Sequence, residues 1–180
     1  MSSSAEPHRI YNVLFLCTHN AGRSLMAEAI LNKDGAGRFH AFSAGTNPDA
    51  QVHPLAVETL TRLGYPTEGL RTKSWDEFSA PGAPHMDFVF TVCDDAADEE
   101  CPVWPGHPMT AHWGIENPAK ASGGEIDQAA AFTQAFRHLK NRISVFANLP
   151  LASIDHLALE MQLKEIGMME GNTRPAAAAG

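Results

Sequence analysis

Cys17 lies six residues before Arg23, and Ser24 follows directly, so residues 17–24 read Cys-x5-Arg-Ser. The motif comes after the apolar run 13–16 and before the run 24–30, which has helical spacing. A turn between a strand and a helix points several backbone N–H groups inward, and the helix dipole adds positive charge there. The planar guanidinium of Arg23 can donate two parallel hydrogen bonds to two oxygens of a phosphate-like group. The stretch therefore predicts a site that holds a tetrahedral oxyanion against the Cys17 thiol.

The same positive environment favours a thiolate, so we expect Cys17 to be a nucleophile with a lowered pKa. Asn20 is expected to brace the loop by hydrogen-bonding the loop's backbone, whereas His19 either contacts the anion or faces solvent. The spacing alone would also fit a buried cysteine with a surface arginine, but the position between a strand and a helix favours the catalytic interpretation. The predicted anion-binding residues are Thr18, His19, Asn20, Ala21, Gly22, Arg23 and Ser24.

Cys93 and Cys101 form a second group, separated by seven mostly acidic residues. A zinc site is disfavoured, because the spacing is not C-x2–4-C and no histidine lies between the two cysteines. If 93–101 were helical, their Cα atoms would be roughly 12 Å apart, whereas a disulfide needs about 4.4–6.8 Å. The pair can bridge only if the segment unwinds, which a short acidic run before Pro102 allows. The alternative is two unrelated core cysteines.

The alternation of strand and helix patterns predicts a single α/β domain of three layers, with helices flanking a four-stranded parallel sheet. We expect the domain to span residues 10–167, and residues 1–9 and 168–180 to be flexible tails. Functional groups of such sheets collect at the carboxyl ends of strands, where Cys17 and Cys93 both lie. The predicted strands are 10–16, 38–44, 87–92 and 110–114, and the predicted helices are 24–34, 53–63, a short one within 70–79, 94–100, 127–148 and 153–166.

The composition argues against a nucleic-acid-binding protein and against a membrane protein. The chain has 180 residues, of which 44% are hydrophobic, and a formal net charge of −8. This charge disfavours nucleic acid or an anionic membrane as a partner, and no apolar run approaches the roughly 18 residues of a membrane span. No export signal is visible at the N-terminus, and three cysteines are an odd number. These features favour a reducing compartment and thiol chemistry, so we expect a cytoplasmic protein; we also expect it to be a monomer.

Four stretches together resemble the arsenate reductases built on the low-molecular-weight tyrosine phosphatase fold: VLFLCTHNAGRSLMAEAILN, FSAGT, FTVCDDAADEECPVWPG and AHWGIENPA. The resemblance covers roughly residues 10–167. Cys-x5-Arg-Ser alone would only indicate a phosphatase-like anion loop. The additional Cys93 and Cys101 are what distinguish the reductases from the phosphatases.

The resemblance implies a thiol relay. Cys17 would attack arsenate held by the loop amides and Arg23, Cys93 would then attack Cys17 as arsenite departs, and Cys101 would attack Cys93. An external dithiol, either thioredoxin or glutathione with glutaredoxin, would reduce the final disulfide. Arsenate would be the substrate, and phosphate or sulfate would compete with it as oxyanions. The relay needs no metal ion and no organic cofactor.

One position departs from the family pattern. The family usually has an aspartic acid before the proline of the late loop, as the general acid for the leaving group, whereas this chain has Asn117 between Glu116 and Pro118. An amide does not donate a proton as a carboxylic acid does, and Glu116 is either a substitute acid or a solvated loop residue. Two alternatives stay open: a phosphatase that hydrolyses phosphoesters through a Cys17 phosphoenzyme, and a non-catalytic oxyanion-binding redox sensor.

Overall fold

Four parallel strands form the centre of the molecule. The computed structural model describes residues 9–94, 96, 104 and 106–173. The strands are β1 (Tyr11–Cys17), β2 (Phe39–Gly45), β3 (Phe88–Thr91) and β4 (Met109–His112), in the spatial order β2-β1-β3-β4. All three neighbouring pairs are parallel, which confirms the predicted sheet. The ends of β1 and β3 are neighbours, because Leu16 pairs with Thr91.

Five described helices connect and cover these strands, and their bounds differ from the predicted ones by three residues or fewer. A 3-10 turn, which the sequence pattern did not indicate, covers Pro118–Lys120. The largest shift is at the start of the last helix, where the side chain of Asp155 accepts a hydrogen bond from the Ala158 N–H and so fixes the first turn. The helices are α1 (Arg23–Asp34), α2 (Pro54–Arg62), α3 (Asp76–Ser79), α4 (Glu125–Ala147) and α5 (His156–Gly167).

Successive side chains of β1 point to opposite faces of the sheet, and each face has its own core. Val13, Phe15 and Cys17 lie in the larger core, which α1, α2, α4 and α5 cover. Leu14 and Leu16 lie in a smaller core with Phe78 of α3 and Trp104. Because β1 is buried on both faces, its carboxyl end is fixed from both sides, and the residues that follow it begin from a rigid position.

Residues 168–173, assigned from the sequence to a tail, pack against the domain. The guanidinium of Arg142, fully buried on α4, donates hydrogen bonds to the carbonyl oxygens of Met169 and Glu170 at 3.0 and 3.1 Å. Asn172 forms an isolated bridge with Ile115. At the other end, Arg9 forms an ion pair with Asp87 and lies over the ring of Tyr11. The contacts of the domain thus extend beyond the predicted limits 10–167 on both sides.

The predicted helix 94–100 lies outside the described residues except for Asp94 and Ala96, and the remaining parts of both predicted tails also lie outside them. Among the described helices, none is both long enough and apolar enough to cross a bilayer.

Candidate active site

The loop of residues 17–24, called the anion loop from here on, joins β1 to α1. Four of its carbonyl oxygens accept hydrogen bonds from the backbone of the segment that follows β2. In a trans peptide the carbonyl and the next N–H point in opposite directions, so carbonyls turned towards this segment leave the following N–H groups turned inward. The acceptors are Cys17, Thr18, His19 and Ala21, and the donors are Thr46, Asn47, Asp49 and His53, at 2.8–3.2 Å.

The Cys17 thiol lies inside this loop and is only 3% exposed. The Asn20 N–H donates to its sulfur at 3.2 Å, and the Ser24 hydroxyl lies 2.9 Å from the sulfur. Burial raises the pKa of Cys17, while Arg23 and the Ser24 hydroxyl act in the opposite direction. Because burial is the largest of these causes, the pKa lies above its ordinary value, and the expectation of a lowered pKa is wrong for this structure.

Asn20 braces the anion loop through the Ser24 hydroxyl and the backbone of Lys73, whereas contact with the loop's own backbone was predicted. Its backbone has φ of +48°, in the left-handed region that asparagine tolerates better than most residues. The fully buried side chain donates to the Ser24 hydroxyl at 2.7 Å and accepts from the Lys73 N–H at 2.9 Å. Gly45 allows the end of β2 to approach, because a Cβ there would lie 2.6 Å from the Thr18 carbonyl oxygen.

Lys73 belongs to a buried ionic group behind the anion loop, which the sequence analysis missed. Its ammonium group lies 3.6 Å from a Glu28 carboxylate oxygen and donates to the Arg71 carbonyl at 2.8 Å. The Ser43 hydroxyl donates to the same Glu28 oxygen. Burial raises the pKa of Glu28 and lowers that of Lys73, and each charge opposes the shift of the other. Removing either Lys73 or Glu28 would therefore leave the other charge buried without its counter-charge.

Arg23 crosses from the first turn of α1 to the loop after β4, where its Nη1 donates to the Ile115 carbonyl at 2.8 Å. This contact fixes the direction of the guanidinium at the edge of a cleft of about 220 Å³. The anion loop, the end of β3, the loop after β4 and the C-terminal residues all contribute to the cleft. Its lining residues include Thr18, His19, Arg23, Cys93, Asp94, Ile115, Glu116, Asn117, Lys120 and Thr173.

Cys93 follows β3 directly and is also 3% exposed. Its sulfur accepts hydrogen bonds from the N–H groups of Thr18 and Ala96 at 3.2 and 3.4 Å, and the Thr18 hydroxyl is 3.4 Å away. Both Cys17 and Cys93 are free thiols. The structure thus brings two thiols to one loop, each accepting a backbone N–H of that loop. Cys101 lies outside the described residues, so its predicted role stays a prediction.

The two residues at the expected general-acid position, Glu116 and Asn117, line the cleft. Glu116 is exposed, and Asn117 uses its side-chain oxygen to accept the Ala119 N–H at 3.0 Å, which caps the 3-10 turn. His19 also lines the cleft, and its Nδ1 is 3.1 Å from an Asp49 carboxylate oxygen. Among the residues that the structure describes, no group of three or more His, Cys, Asp and Glu side chains could hold a metal ion.

Comparison with known proteins agrees with this geometry. The model of the low molecular weight phosphotyrosine protein phosphatase family matches residues 12–157. The arsenate reductase of Oceanobacillus iheyensis is 34% identical over 135 residues, covering 75% of this chain and 94% of that protein.

Two solved structures are also similar. An arsenate reductase in the phosphate binding state has a TM-score of 0.63 at 25% identity, over 76% of this chain and 96% of that one. The thioredoxin-dependent arsenate reductase of Corynebacterium glutamicum has a TM-score of 0.52 at 26% identity, over 79% of this chain and 65% of that one. The chain therefore belongs to the low molecular weight phosphotyrosine protein phosphatase family, and within it to the arsenate reductases.

Proposed function

We propose that this protein reduces arsenate to arsenite by a relay of thiols that starts at Cys17 and continues through Cys93 and Cys101. The observation that carries the proposal is the meeting of two free thiols at one anion loop: Asn20 N–H donates to Cys17 and Thr18 N–H donates to Cys93. Hydrolysis of a phosphoester needs only the first thiol. A second thiol in contact with the same loop is what reduction requires, because two electrons leave the protein as one disulfide forms.

The first step forms a bond between sulfur and arsenic. Arsenate lies against the Arg23 guanidinium and the inward N–H groups of the anion loop, and the Cys17 sulfur attacks arsenic while the arsenate oxygen that already carries a proton takes up the thiol proton and leaves as water. Burial raises the pKa of Cys17 in this structure, so the thiol proton needs an acceptor, and the arsenate dianion is that acceptor. Ser24 hydrogen-bonds the sulfur as its charge develops.

The second step is the reduction. The Cys93 thiolate attacks the Cys17 sulfur, the S–S bond forms and the S–As bond breaks, and its electron pair stays on arsenic, which leaves as arsenite. Cys101 then attacks Cys93, which moves the disulfide to Cys93–Cys101 and returns Cys17 as a thiolate. A dithiol of the thioredoxin type reduces that disulfide. A neighbour of similar structure is thioredoxin-dependent, which favours this reductant over glutathione with glutaredoxin.

Single substitutions of the two thiols test the proposal. Cys17→Ser removes the nucleophile and is expected to lower both arsenate reduction and p-nitrophenyl phosphate hydrolysis by at least about a thousandfold. Cys93→Ser is expected to lower arsenate reduction as severely but to leave hydrolysis within about twofold of the wild type. Arsenite is measured directly, with dithiothreitol as the reductant. Arsenate turnover by Cys93→Ser at more than a tenth of the wild-type rate would contradict the relay.

The identity of the reductant is a separate measurement. Arsenate-dependent NADPH oxidation is followed with thioredoxin and its reductase, and in parallel with glutathione, glutaredoxin and glutathione reductase. We expect turnover with the thioredoxin system only, and we expect phosphate and sulfate to compete with arsenate.

We also propose that the protein is a monomer, which sedimentation tests. We propose a cytoplasmic location as well, because the relay needs its resting thiols reduced.

A further inference from the structure

Asp94, the residue directly after Cys93, is held by two side chains from distant parts of the chain. The His112 Nε2 and the Thr173 hydroxyl both lie 2.7 Å from its Oδ1. A carboxylate only accepts hydrogen bonds, so Nε2 carries the proton that it donates. The other ring nitrogen, Nδ1, lies 2.7 Å from the Thr91 hydroxyl. We call the contacts of Asp94 with His112 and Thr173 the Asp94 clasp.

The clasp is closely packed around Gly114. A Cβ at this position would lie 2.5 Å from the Thr173 hydroxyl oxygen, 2.6 Å from His112 Nε2 and 2.8 Å from Asp94 Oδ1. The backbone supports the same contact, because the Thr173 N–H donates to the Gly114 carbonyl at 3.3 Å. Only glycine leaves room for three polar groups to meet here, since the closest of these distances is far below any normal carbon contact.

None of these residues has a role in the relay as proposed, and Thr173 lies outside residues 12–157, the region that the family model matches. The clasp instead lies next to Cys93. β3 ends at Thr91, so Thr91 and Asp94 enclose Cys93 closely, and His112 contacts both of them. The Cys93 sulfur itself lies against the N–H and the hydroxyl of Thr18, which belongs to the anion loop that also contains Cys17.

We propose that Asp94, with His112 and the C-terminal Thr173, is a positioning residue for the second thiol: the clasp holds the Cys93 sulfur on the anion loop and keeps it from external thiols and disulfides. The proposal has a kinetic consequence, faster attack of Cys93 on Cys17, and this one rests on the proposed function. It also has a positional consequence, a Cys93 sulfur that external reagents reach slowly, and this one does not depend on the proposed function.

Chemical labelling measures the positional consequence without arsenate. In a Cys17→Ser/Cys101→Ser background Cys93 is the only cysteine left, because the chain has three. The rate of its reaction with 5,5′-dithiobis(2-nitrobenzoate) is compared for Thr173→Val, Thr173→Ser and Thr110→Val, the last being an exposed position of β4. We expect Thr173→Val to react about tenfold faster, corresponding to the loss of one hydrogen bond to a charged group. Thr173→Ser and Thr110→Val are expected to react as the parent does.

A labelling rate of Thr173→Val within twofold of Thr110→Val would overturn the proposal. Asp94→Ala, which removes the acceptor of both contacts, serves as a second variant, and an unchanged labelling rate there would overturn it equally. The urea midpoint of each variant is measured alongside. An acceleration that disappears when variants are compared at equal global stability would also contradict a local role.

The kinetic consequence is read in the protein with all three cysteines. A single turnover without reductant is expected to release arsenite about tenfold more slowly in Thr173→Val, with an unchanged arsenate concentration for half-saturation, and Thr173→Ser is expected to restore the rate. An unchanged release rate, or a loss that appears only in half-saturation, would contradict positioning of the second thiol. If the wild type released no arsenite at all, the proposed function would fail, and the labelling result would still decide the clasp.

Discussion

Cys17 and Cys93 are surrounded by different parts of the chain. Cys17 belongs to one continuous loop whose carbonyls are fixed by backbone hydrogen bonds from a single neighbouring segment. Around Cys93, Thr18 of the anion loop, β3, β4 and the C-terminal Thr173 come together, and side chains supply several of the contacts. Both sulfurs are equally buried. The difference therefore lies in how each thiol is held and not in how far it is from solvent.

This difference fits the two tasks of the proposed relay. The first thiol needs a preorganised set of donors that does not rearrange when charge develops on the oxyanion. The second thiol has to stay close to Cys17 until it attacks, and afterwards it has to react with Cys101. Its hydrogen bonds therefore have to break during the reaction. The four backbone contacts of the anion loop all join it to one segment, whereas the contacts around Cys93 come from separate elements, which can open separately. Four substitutions test the anion-loop side of this contrast and the cleft in front of it, beginning with the support of the anion loop.

The largest effect is expected for Lys73→Met, which leaves the Glu28 carboxylate buried without its cation. Lys73 and Glu28 side chains are 7% and 15% exposed, so we expect a loss of about 3 kcal/mol in the free energy of unfolding at pH 7. The loss is measured by urea unfolding followed by tryptophan fluorescence. The Arg71–Glu77 pair is the control, because both side chains are largely exposed and Arg71→Ala should cost less than about 1 kcal/mol.

The pH dependence of that loss has a defined sign. Burial already raises the pKa of Glu28, and removing Lys73 raises it further. A carboxyl group with a raised pKa in the folded protein binds its proton more tightly there, so stability is present at low pH and is lost as pH rises through that pKa. The deficit of Lys73→Met should therefore shrink as the pH falls. Lys73→Met/Glu28→Gln should recover most of it, and a double variant as unstable as the single one would contradict this account.

Asn20→Ala is expected to lower arsenate reduction about a hundredfold. The substitution removes two buried hydrogen bonds, to Ser24 and Lys73, and places alanine at a positive φ. Asn20→Gly separates the two causes, because glycine tolerates the φ but also lacks the side chain, and it should be impaired nearly as much. Asn32→Ala, which breaks side-chain contacts with Ala41 away from the cleft, is the control. Wild-type activity of Asn20→Gly would assign the effect to the backbone alone.

Asn117→Asp is expected to raise phenyl phosphate hydrolysis at least tenfold, because it places an acid for a poor leaving group in the lining of the cleft. An aspartate oxygen can still accept the Ala119 N–H, so the 3-10 turn should persist. Arsenate reduction should change less than threefold, since arsenate carries its own protons. Steady-state rates for both substrates are compared in one preparation. A gain in arsenate reduction without a gain in phenyl phosphate hydrolysis would contradict the view that an acid at position 117 serves hydrolysis.

The smallest effect is expected for Ser24→Ala, because Ser24 is one of several groups that act on the Cys17 pKa. Its hydroxyl lowers that pKa, so its removal should shift the pH profile of Cys17 alkylation by iodoacetamide to higher pH. Below the pKa the rate should fall severalfold, and well above it the two proteins should react alike. The measurement uses a Cys93→Ser/Cys101→Ser background, with Ser144→Ala on α4 as the control. A shift to lower pH would contradict the role of the hydroxyl.

The sequence predicted what is local and missed what depends on tertiary contacts. The strands, the helices and the anion loop follow from runs of adjacent residues, and their bounds were close. The Arg23 partner at Ile115 and the ionic pair of Lys73 and Glu28 join distant positions, so no spacing indicates them. The sign of the Cys17 pKa shift was wrong for the same reason, because the motif contains the lowering groups whereas burial comes from the whole core.

The central claim is that electrons pass from the anion loop to Cys93 before any external reductant takes part. It is tested most directly with Cys101→Ser, fully reduced, mixed with excess arsenate in the absence of reductant. We predict release of one arsenite per protein and a disulfide between Cys17 and Cys93, identified by mass spectrometry of proteolytic fragments after acid quenching. Release of arsenite without that disulfide, or no release while p-nitrophenyl phosphate is still hydrolysed, would contradict the account.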